Sequence, residues 1–355
     1  MDIKKAQDLL NLRGYDVVSI SQFPFGRNRE VFDFTTADGC SLIARFVKEG
    51  NWRDMQYDGL LSLERDMNMY ALAGAAGLPT PRVIGYHDAE GVSFLVVEKL
   101  PGQHWKAFLE KEEYSLDAYL RSLEYLGSDI AKAHAVSLPS YGDIISHTSI
   151  LPKGVTNFAV RLEHLLGLKL APAQKVLSEG EFAVVRTYFS KEVLALEEDL
   201  GSNRYHPTLI LTNLHPTNFL VDEQGKPSGY PDLEFSQAGV PALEMYNMGL
   251  QLFSYFDQPT FDLAKKAFFD GYAAAGGVYD PKDRTNKQLE ALLCAGHTLS
   301  SVTGYQGVRD GLRDTWSAEF KHILERVMST GEMDYVAFAD VIRQKTKQPK
   351  QPKLP

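Results

Sequence analysis

The spacing of apolar and polar residues divides the chain into a strand-rich first part and a helix-rich remainder. Short apolar runs predict strands at 17–20, 31–34, 41–47 and 94–97. The pair Asp38-Gly39 predicts a tight turn between the second and third strands. Helical spacing covers 2–12 and 61–76, and Gly14 and Gly77 stand where glycine commonly ends a helix.

Helical periodicity dominates the rest of the chain. It predicts helices at 116–136, within 155–200, and at 261–275, 287–299 and 316–328. A break at Pro101-Gly102 separates the two parts. The last stretch, 343–355, is rich in Lys, Gln and Pro, and we expect it to form a disordered basic tail.

Composition narrows the classes of function. The 355 residues carry a net charge of −9, which gives no support for nucleic-acid binding. No apolar run approaches the ~20 residues that a membrane helix needs, so no membrane role is expected. The N-terminus is charged, and Cys40 and Cys294 match no disulfide or metal spacing, so a reducing cytoplasm is expected. The oligomeric state stays open.

The segment 208–240 carries most of the candidate chemistry. An apolar run, Leu209–Leu211, is followed by a polar loop that ends at Asn218. A short strand, a turn and a second polar stretch then lead to Asp232, which predicts a hairpin. A hairpin brings its ends together, and Mg²⁺ accepts one or two protein ligands such as an amide and a carboxylate oxygen. Asn218 and Asp232 are therefore candidate metal ligands.

The sequence LHPTN, followed by a strand and DLE, resembles the catalytic and metal loops of the aminoglycoside phosphotransferase and choline kinase family. The resemblance implies an α+β fold with two lobes, as in protein kinases: a small antiparallel-sheet lobe and a larger, mostly helical lobe. It implies an ATP- and Mg²⁺-dependent phosphotransferase that acts on a hydroxyl of a small molecule. The expected domains are a nucleotide-binding lobe at 1–102 and a lobe at 103–342 that holds both loops and the acceptor pocket.

Further nucleotide-binding residues follow from the resemblance. The loop around Gly26 would cover the phosphates, Arg45 on the third strand would bind them, and main-chain groups between Glu98 and Leu100 would pair with adenine. Glu64 is expected to hold Arg45, with Asp66 as the second choice. From this segment alone, an ordinary hairpin with an exposed Arg45 is the competing interpretation.

Two more residues are expected to support the catalytic loop. The family commonly carries a histidine at the position of His134, which implies a hydrogen-bonding residue beneath the loop rather than a reacting group. Glu244 stands where the family has an acid that braces the loop from below.

Asn213 departs from the family at the central position. The usual loop, H-G-D-L-H-P-x-N, has a catalytic Asp five residues before the metal-binding Asn, and counting back from Asn218 gives Asn213. An amide orients a hydroxyl but is not an effective base. Leu211, Thr212 and Thr217 differ as well, which favours natural divergence over a single introduced change. Three hypotheses remain: a phosphotransferase, a pseudokinase that binds nucleotide or acts as a scaffold, and an enzyme that transfers a nucleotidyl group.

Overall fold

The computed structural model describes residues 1–23, 29–47, 62–112, 115–146, 148–202, 204–304 and 313–345. A smaller lobe built on an antiparallel sheet is followed by a larger, mostly helical lobe, as the resemblance implied. None of the helices in the described ranges is long and apolar enough to cross a membrane.

The small lobe is a five-stranded antiparallel sheet with two helices. Its elements are α1 (Ile3–Leu12), β1 (Val17–Gln22), β2 (Arg29–Thr36), β3 (Ser41–Val47), α2 (Leu63–Ala75), β4 (Val83–Ala89) and β5 (Val92–Glu98). The strand order is β1-β2-β3-β5-β4, and Gly39 at φ +85° forms the predicted turn between β2 and β3. Phenylalanines from β2, β3 and β5 form its core, and Phe46 stacks on Phe94 with ring centres 4.9 Å apart.

Helix α2 lies between the small sheet and the large lobe. The side chain of Ser62 caps its first turn by accepting the Arg65 N–H at 3.1 Å, and Gly77 at φ +83° follows its end. Its buried residues include two charged ones, Arg65 and Asp66. Buried charges need partners. Asp66 finds them in Arg29 and Arg45 of the small sheet, and Arg65 finds them in main-chain carbonyls of the large lobe.

The connection between the lobes runs from β5 into β6 (Gln103–His104). Strand β6 pairs with β10 (Leu220–Val221), which pairs in turn with β11 (Pro227–Gly229). Gly102 has φ +100°, and a Cβ there would collide with the Val221 carbonyl and the Ser228 hydroxyl. The connection is therefore pressed directly against the β10–β11 hairpin.

The large lobe contains the remaining elements. Its helices are α3 (Trp105–Lys111), α4 (Leu116–His134), α5 (Phe158–Ala173), α6 (Glu179–Leu200), α7 (Ala242–Met248), α8 (Gln258–Ala274), α9 (Arg284–Gly304), α10 (Arg313–Thr330) and α11 (Tyr335–Lys345), with a π-helix at Gly249–Phe253. A second sheet, in the order β8-β7-β12-β9, uses β7 (Gly142–Ser146), β8 (Ser149–Leu151), β9 (Thr208–Ile210) and β12 (Gln237–Gly239). Strand β12 begins after the segment that contains Asp232 and pairs with β9, which leads into the loop that ends at Asn218. The two candidate loops are therefore attached to neighbouring strands.

Helices α4 and α8 approach each other through glycine. A Cβ on Gly127 of α4 would collide with the carbonyl oxygen of Phe268, and one on Gly271 of α8 would collide with that of Glu124. Only the absence of a side chain lets the two backbones come this close.

The last helix extends further than the sequence predicted. Helix α11 continues to Lys345, so the prediction of a disordered tail from Arg343 is wrong for residues 343–345. The Arg343 guanidinium donates hydrogen bonds to the carbonyls of Ser254 and Tyr255 at 2.8 and 2.9 Å. These contacts fasten the last turn of α11 to the loop after the π-helix.

Candidate active site

The loop that follows β9, Leu211–Asn218 (the catalytic loop), is supported from below by a buried acid. Glu244 on α7 is fully enclosed, and its Oε2 accepts the main-chain N–H of Leu211 at 2.7 Å and that of Thr212 at 3.4 Å. Burial raises the pKa of Glu244 to about 7, although these two hydrogen bonds pull it down. Glu244 thus supports the catalytic loop from below, at the position where the sequence analysis expected an acid to do so.

The backbone of the catalytic loop is left-handed at two consecutive non-glycine residues. Thr212 has φ +48° and Asn213 has φ +47°. Asparagine tolerates this region, whereas a β-branched threonine there is strained. The resembling family has glycine at this position, which is free of that strain. A hydrogen bond from Thr212 Oγ1 to the Phe235 carbonyl at 2.6 Å holds the strained residue in place.

Asn213 and Asn218 are tied together within the loop. The Asn213 carbonyl accepts the Asn218 side-chain N–H at 2.9 Å and the His215 main-chain N–H at 2.7 Å. The Asn218 amide nitrogen is therefore turned inward, and within the part of the chain that the structure describes its Oδ1 accepts only a 3.4 Å hydrogen bond from Thr217 Oγ1. The Asn213 side chain is exposed to solvent at the position of the usual base.

The predicted hairpin between the two candidate metal ligands is confirmed by the pairing of β10 with β11. Asp232 follows it at the start of the segment Asp232–Ser236 (the metal loop). Its Oδ1 is buried and accepts no hydrogen bond from the residues that the structure describes. A buried carboxylate oxygen without a donor suits a cation.

The candidate ligands suit Mg²⁺ better than a metal ion whose ligands all come from protein side chains. In the described ranges no group of three or more His, Cys, Asp or Glu side chains is arranged to bind a metal ion. Asp232 and Asn218 offer one carboxylate and one amide, and Mg²⁺ completes such a set with water and phosphate oxygens.

Arg45 is buried and points towards the metal loop. Its NH1 donates to the Pro231 carbonyl at 2.5 Å and to the Tyr70 hydroxyl, which itself donates to Pro231 at 2.6 Å. Only 7% of Arg45 is exposed, so the competing interpretation, an ordinary hairpin with an exposed Arg45, is wrong. Burial disfavours the charge, yet Tyr70, Asp66 and Asp232 raise the pKa of Arg45 above its ordinary value.

The acid that holds Arg45 is Asp66, and the prediction of Glu64 is wrong. Asp66 Oδ2 lies 3.6 Å from Arg45 NH2, and the same carboxylate accepts Arg29 Nε at 3.2 Å and Arg29 NH2 at 3.4 Å. Glu64 is exposed. Successive helical residues differ by about 100°, so positions 64 and 66 face nearly opposite directions and only one can turn inward.

Three supporting residues were missed by the sequence analysis: Arg29, Arg65 and Tyr70. Arg65 is 2% exposed and donates to main-chain carbonyls of β7 and of the metal loop. A charged residue in the first turn of a helix usually indicates a solvated face, so the sequence alone gave no sign of this burial.

The structure describes two of the three remaining residues that were predicted to bind the nucleotide, Glu98 and Leu100. The third, Gly26, lies outside the described residues. Glu98 is exposed, and its main-chain N–H donates to the Arg82 carbonyl at 2.9 Å. Leu100 is half-buried, and its side chain lies so close to Gly229 that a Cβ there would meet it at 2.6 Å.

His134 lies in the protein interior. Its Nδ1 forms a hydrogen bond with the Tyr272 hydroxyl at 2.9 Å, and burial lowers the pKa of His134 to about 3. It is therefore neutral and bridges α4 to α8, in keeping with a structural role.

Comparisons with known proteins point in one direction. The model of the phosphotransferase enzyme family matches residues 19–281. No curated protein matches the sequence.

Many solved structures share the fold, and three of them illustrate the likeness. The GDP complex of an aminoglycoside 2'-phosphotransferase IIIa mutant has a TM-score of 0.55 at 16% identity, covering 92% of this chain and 98% of its own. An aminoglycoside phosphotransferase from Streptomyces rimosus, in complex with ADP and streptomycin, has a TM-score of 0.51 at 16% identity and coverages of 84% and 99%. An ethanolamine kinase from Plasmodium vivax has a TM-score of 0.53 at 12% identity and coverages of 97% and 85%.

Proposed function

Because the chain belongs to the phosphotransferase enzyme family, we propose that it transfers the γ-phosphate of ATP, with Mg²⁺, to a hydroxyl group of a small molecule. The observation that carries the proposal is the meeting of Arg45 with the metal loop. The small-lobe cation donates to Pro231, and the next residue, Asp232, has a buried carboxylate oxygen without a donor. In this proposal the cation that binds phosphate comes from the small lobe and the acid that binds the metal ion comes from the large lobe, and the two are adjacent at Pro231.

Each residue has a distinct task in this proposal. Residues 1–102 hold the nucleotide, with main-chain groups between Glu98 and Leu100 at the adenine, while 103–342 supply both loops and the acceptor pocket. Arg45, fixed by Asp66, neutralises phosphate charge, and Asp232 and Asn218 hold the metal ion. When bound, Mg²⁺ neutralises charge on the phosphate oxygens during transfer.

Asn213 orients the acceptor instead of deprotonating it. Its amide accepts a hydrogen bond from the attacking hydroxyl, and the proton leaves to solvent because the side chain is exposed. Phosphoryl transfer depends mainly on positioning and on electrostatic stabilisation, so the amide slows the reaction without abolishing it.

The acceptor class is proposed from the relatives. They include an aminoglycoside phosphotransferase in complex with ADP and streptomycin and an ethanolamine kinase. Streptomycin and ethanolamine both carry hydroxyl groups and basic nitrogen atoms. We therefore place this protein with kinases of small alcohols. Both cysteines are free thiols, which fits the proposed cytoplasmic location.

Thermal stability in the presence of ATP tests the donor site. ATP with Mg²⁺ at ~100 times its Kd should add ~2.7 kcal/mol to the free energy of unfolding. Asp232→Asn should remove the part that depends on Mg²⁺. Glu223→Gln, an equal charge change at an exposed position of the hairpin turn, should retain it. No stabilisation of the wild-type protein at saturating ATP contradicts the proposal.

Product mass tests the reaction. A panel containing streptomycin, a macrolide and ethanolamine is incubated with Mg²⁺-ATP, and the products are weighed. Addition of one phosphoryl group supports the proposal, and addition of a nucleotidyl group contradicts it.

A pseudokinase that binds nucleotide or acts as a scaffold is the second candidate, and Asn213 favours it. If Mg²⁺-ATP binds while no acceptor, water included, is phosphorylated by the wild-type protein, this candidate replaces the enzyme.

A further inference from the structure

Arg65 lies in the first turn of α2 with its whole guanidinium group enclosed. Its Nε donates to the Ile144 carbonyl at 2.6 Å, NH1 donates to the Glu234 carbonyl, and NH2 donates to the Ser236 carbonyl at 2.5 Å. Each of these acceptors belongs to the main chain of the large lobe. The planar fork of arginine is suited to reach several fixed acceptors at once.

Burial of this cation is costly, and packing alone does not explain it. Transfer of a guanidinium from water is unfavourable, and burial lowers the pKa of Arg65 although Asp66, Asp143 and Glu234 oppose this. A leucine or methionine would fill the same space without that cost. The three carbonyl contacts are what the cation provides and an apolar residue does not.

Two of the three carbonyls belong to the metal loop. Glu234 and Ser236 follow Asp232 by two and four residues, so Arg65 fixes the segment that carries the proposed metal ligand. Ile144 belongs to β7, which pairs with β12, the strand that begins directly after this loop. The guanidinium therefore clamps the loop against its own sheet.

The metal loop is in turn bonded to the catalytic loop. Ser236 Oγ donates to the Leu211 carbonyl at 3.1 Å, and Thr212 Oγ1 donates to the Phe235 carbonyl at 2.6 Å. A continuous series of hydrogen bonds thus leads from α2 through the metal loop to the residues next to Asn213. Every side chain that donates in this series is buried.

We propose that Arg65 is a positioning residue, which acts from the small lobe to hold Asp232 in the geometry that binds Mg²⁺ beside the nucleotide. This inference rests on the proposed function, since it assumes that Asp232 is a metal ligand. Its consequence is that metal affinity depends on the hydrogen bonds from Arg65 to the metal loop, so their loss weakens Mg²⁺ binding even though Arg65 never touches the ion.

The competing explanation is that Arg65 only attaches α2 to the large lobe. Asn68, one turn further along α2, offers a matched control. Its side-chain N–H donates to the Ile145 carbonyl at 3.1 Å, so it also docks α2 on β7, but among the described residues it forms no hydrogen bond with the metal loop. Loss of docking alone should affect Arg65 and Asn68 variants in the same way.

The experiment compares Arg65→Lys and Asn68→Ala with the wild-type full-length chain. Lysine keeps the charge and most of the stem, but its single ammonium cannot reproduce three planar contacts. Two quantities are measured by thermal unfolding: the Mg²⁺ concentration that gives half of the stabilisation at fixed ATP, and the Kd of ATP without Mg²⁺. Loss of residues that orient metal ligands typically weakens metal affinity by ~10–100-fold. For Arg65→Lys we expect the Mg²⁺ concentration that gives half of the stabilisation to rise by ~10–100-fold. For Asn68→Ala we expect it to change by less than about twofold. The Kd of ATP without Mg²⁺ should change by less than about twofold in both variants.

The outcomes separate the two proposals. If the wild-type protein responds to Mg²⁺ and Arg65→Lys has the same half-saturating Mg²⁺ concentration, the proposed role of Arg65 is overturned. The proposed function is not affected by that result. An equal loss in both variants also overturns it, because docking alone would then suffice. A wild-type protein with no response to Mg²⁺ overturns the proposed function, and this inference with it.

If Arg65→Lys does not fold, hydrogen exchange of the wild-type protein decides. Mg²⁺-ATP should then slow amide exchange together in 232–237 and in the first turns of α2. Slowing in the metal loop while α2 is unchanged overturns the proposal.

Discussion

The guanidinium of Arg45 lies 3.6 Å from the carboxylate of Asp66, and both side chains are almost completely shielded from solvent. Arg29 also contacts that carboxylate, with its Nε at 3.2 Å. Arg45 in turn donates to the carbonyl of Pro231, the residue before Asp232. This pair therefore links the packing of the small lobe to the proposed metal ligand.

Removing the charge of Asp66 should therefore destabilise the protein strongly. Asp66→Asn leaves Arg29 and Arg45 without their shared carboxylate, and breaking a buried ion pair costs about 3–5 kcal/mol. Glu64→Gln makes the same chemical change two residues away on an exposed side chain, and we expect a change within about 0.5 kcal/mol. Urea unfolding of the two variants measures the difference. Equal stabilities would show that Asp66 is not the partner of these arginines.

Restoring an acid at position 213 should accelerate turnover. Asn213→Asp places a carboxylate where the attacking hydroxyl loses its proton, and general-base assistance is worth ~10²–10⁴-fold. ATP turnover with water or a panel acceptor measures kcat, and Asn213→Asp combined with Asp232→Asn serves as the inactive control. An unchanged and negligible rate in Asn213→Asp would favour the scaffold over the enzyme.

Glu244 should make stability depend on pH with a definite sign. Burial raises its pKa from 4.5 to about 7, so between these values the folded chain retains a proton that the unfolded chain has released. The contribution is fully present below pH 4.5 and is lost as the pH rises through 7, by about 3 kcal/mol at most.

Glu244→Gln tests this linkage, because the amide does not titrate. The free energy of unfolding of the wild-type protein should fall relative to that of the variant as the pH rises across this range. Urea unfolding of both proteins on either side of the range measures the change, and other titrating groups cancel in the difference. Parallel pH profiles would show that the acid is not buried as described.

Glycine should be required where α4 meets α8 and dispensable on an exposed helix. Gly127→Ala drives a methyl group into the Phe268 carbonyl, and overpacking of this kind costs about 1–3 kcal/mol. Gly167→Ala in α5 meets nothing within 4 Å and should stabilise by about 0.5–1 kcal/mol, because alanine is the better helix former. Thermal unfolding measures both. A neutral Gly127→Ala would mean that the two helices lie further apart.

The sequence by itself predicted the first three strands of the small lobe, its two helices and the hairpin that follows Asn218. Asp38-Gly39 and Gly77 act through local backbone conformation, so their turn and helix end were predictable without the fold. Asn213, Asn218 and Asp232 lie within one segment of the chain, and the predicted hairpin between Asn218 and Asp232 is confirmed. Family and fold class followed from these local patterns in their order.

Only the tertiary structure decided which charged residues are buried and what they meet. Glu64, Arg65 and Asp66 are neighbours in the first turns of α2, and the docking of that helix turns Glu64 outward and the other two inward. Arg65 reaches carbonyls that are 79 to 171 residues away in the chain. No local pattern encodes such partners, because the direction of a helix face is fixed by the surfaces on which it packs.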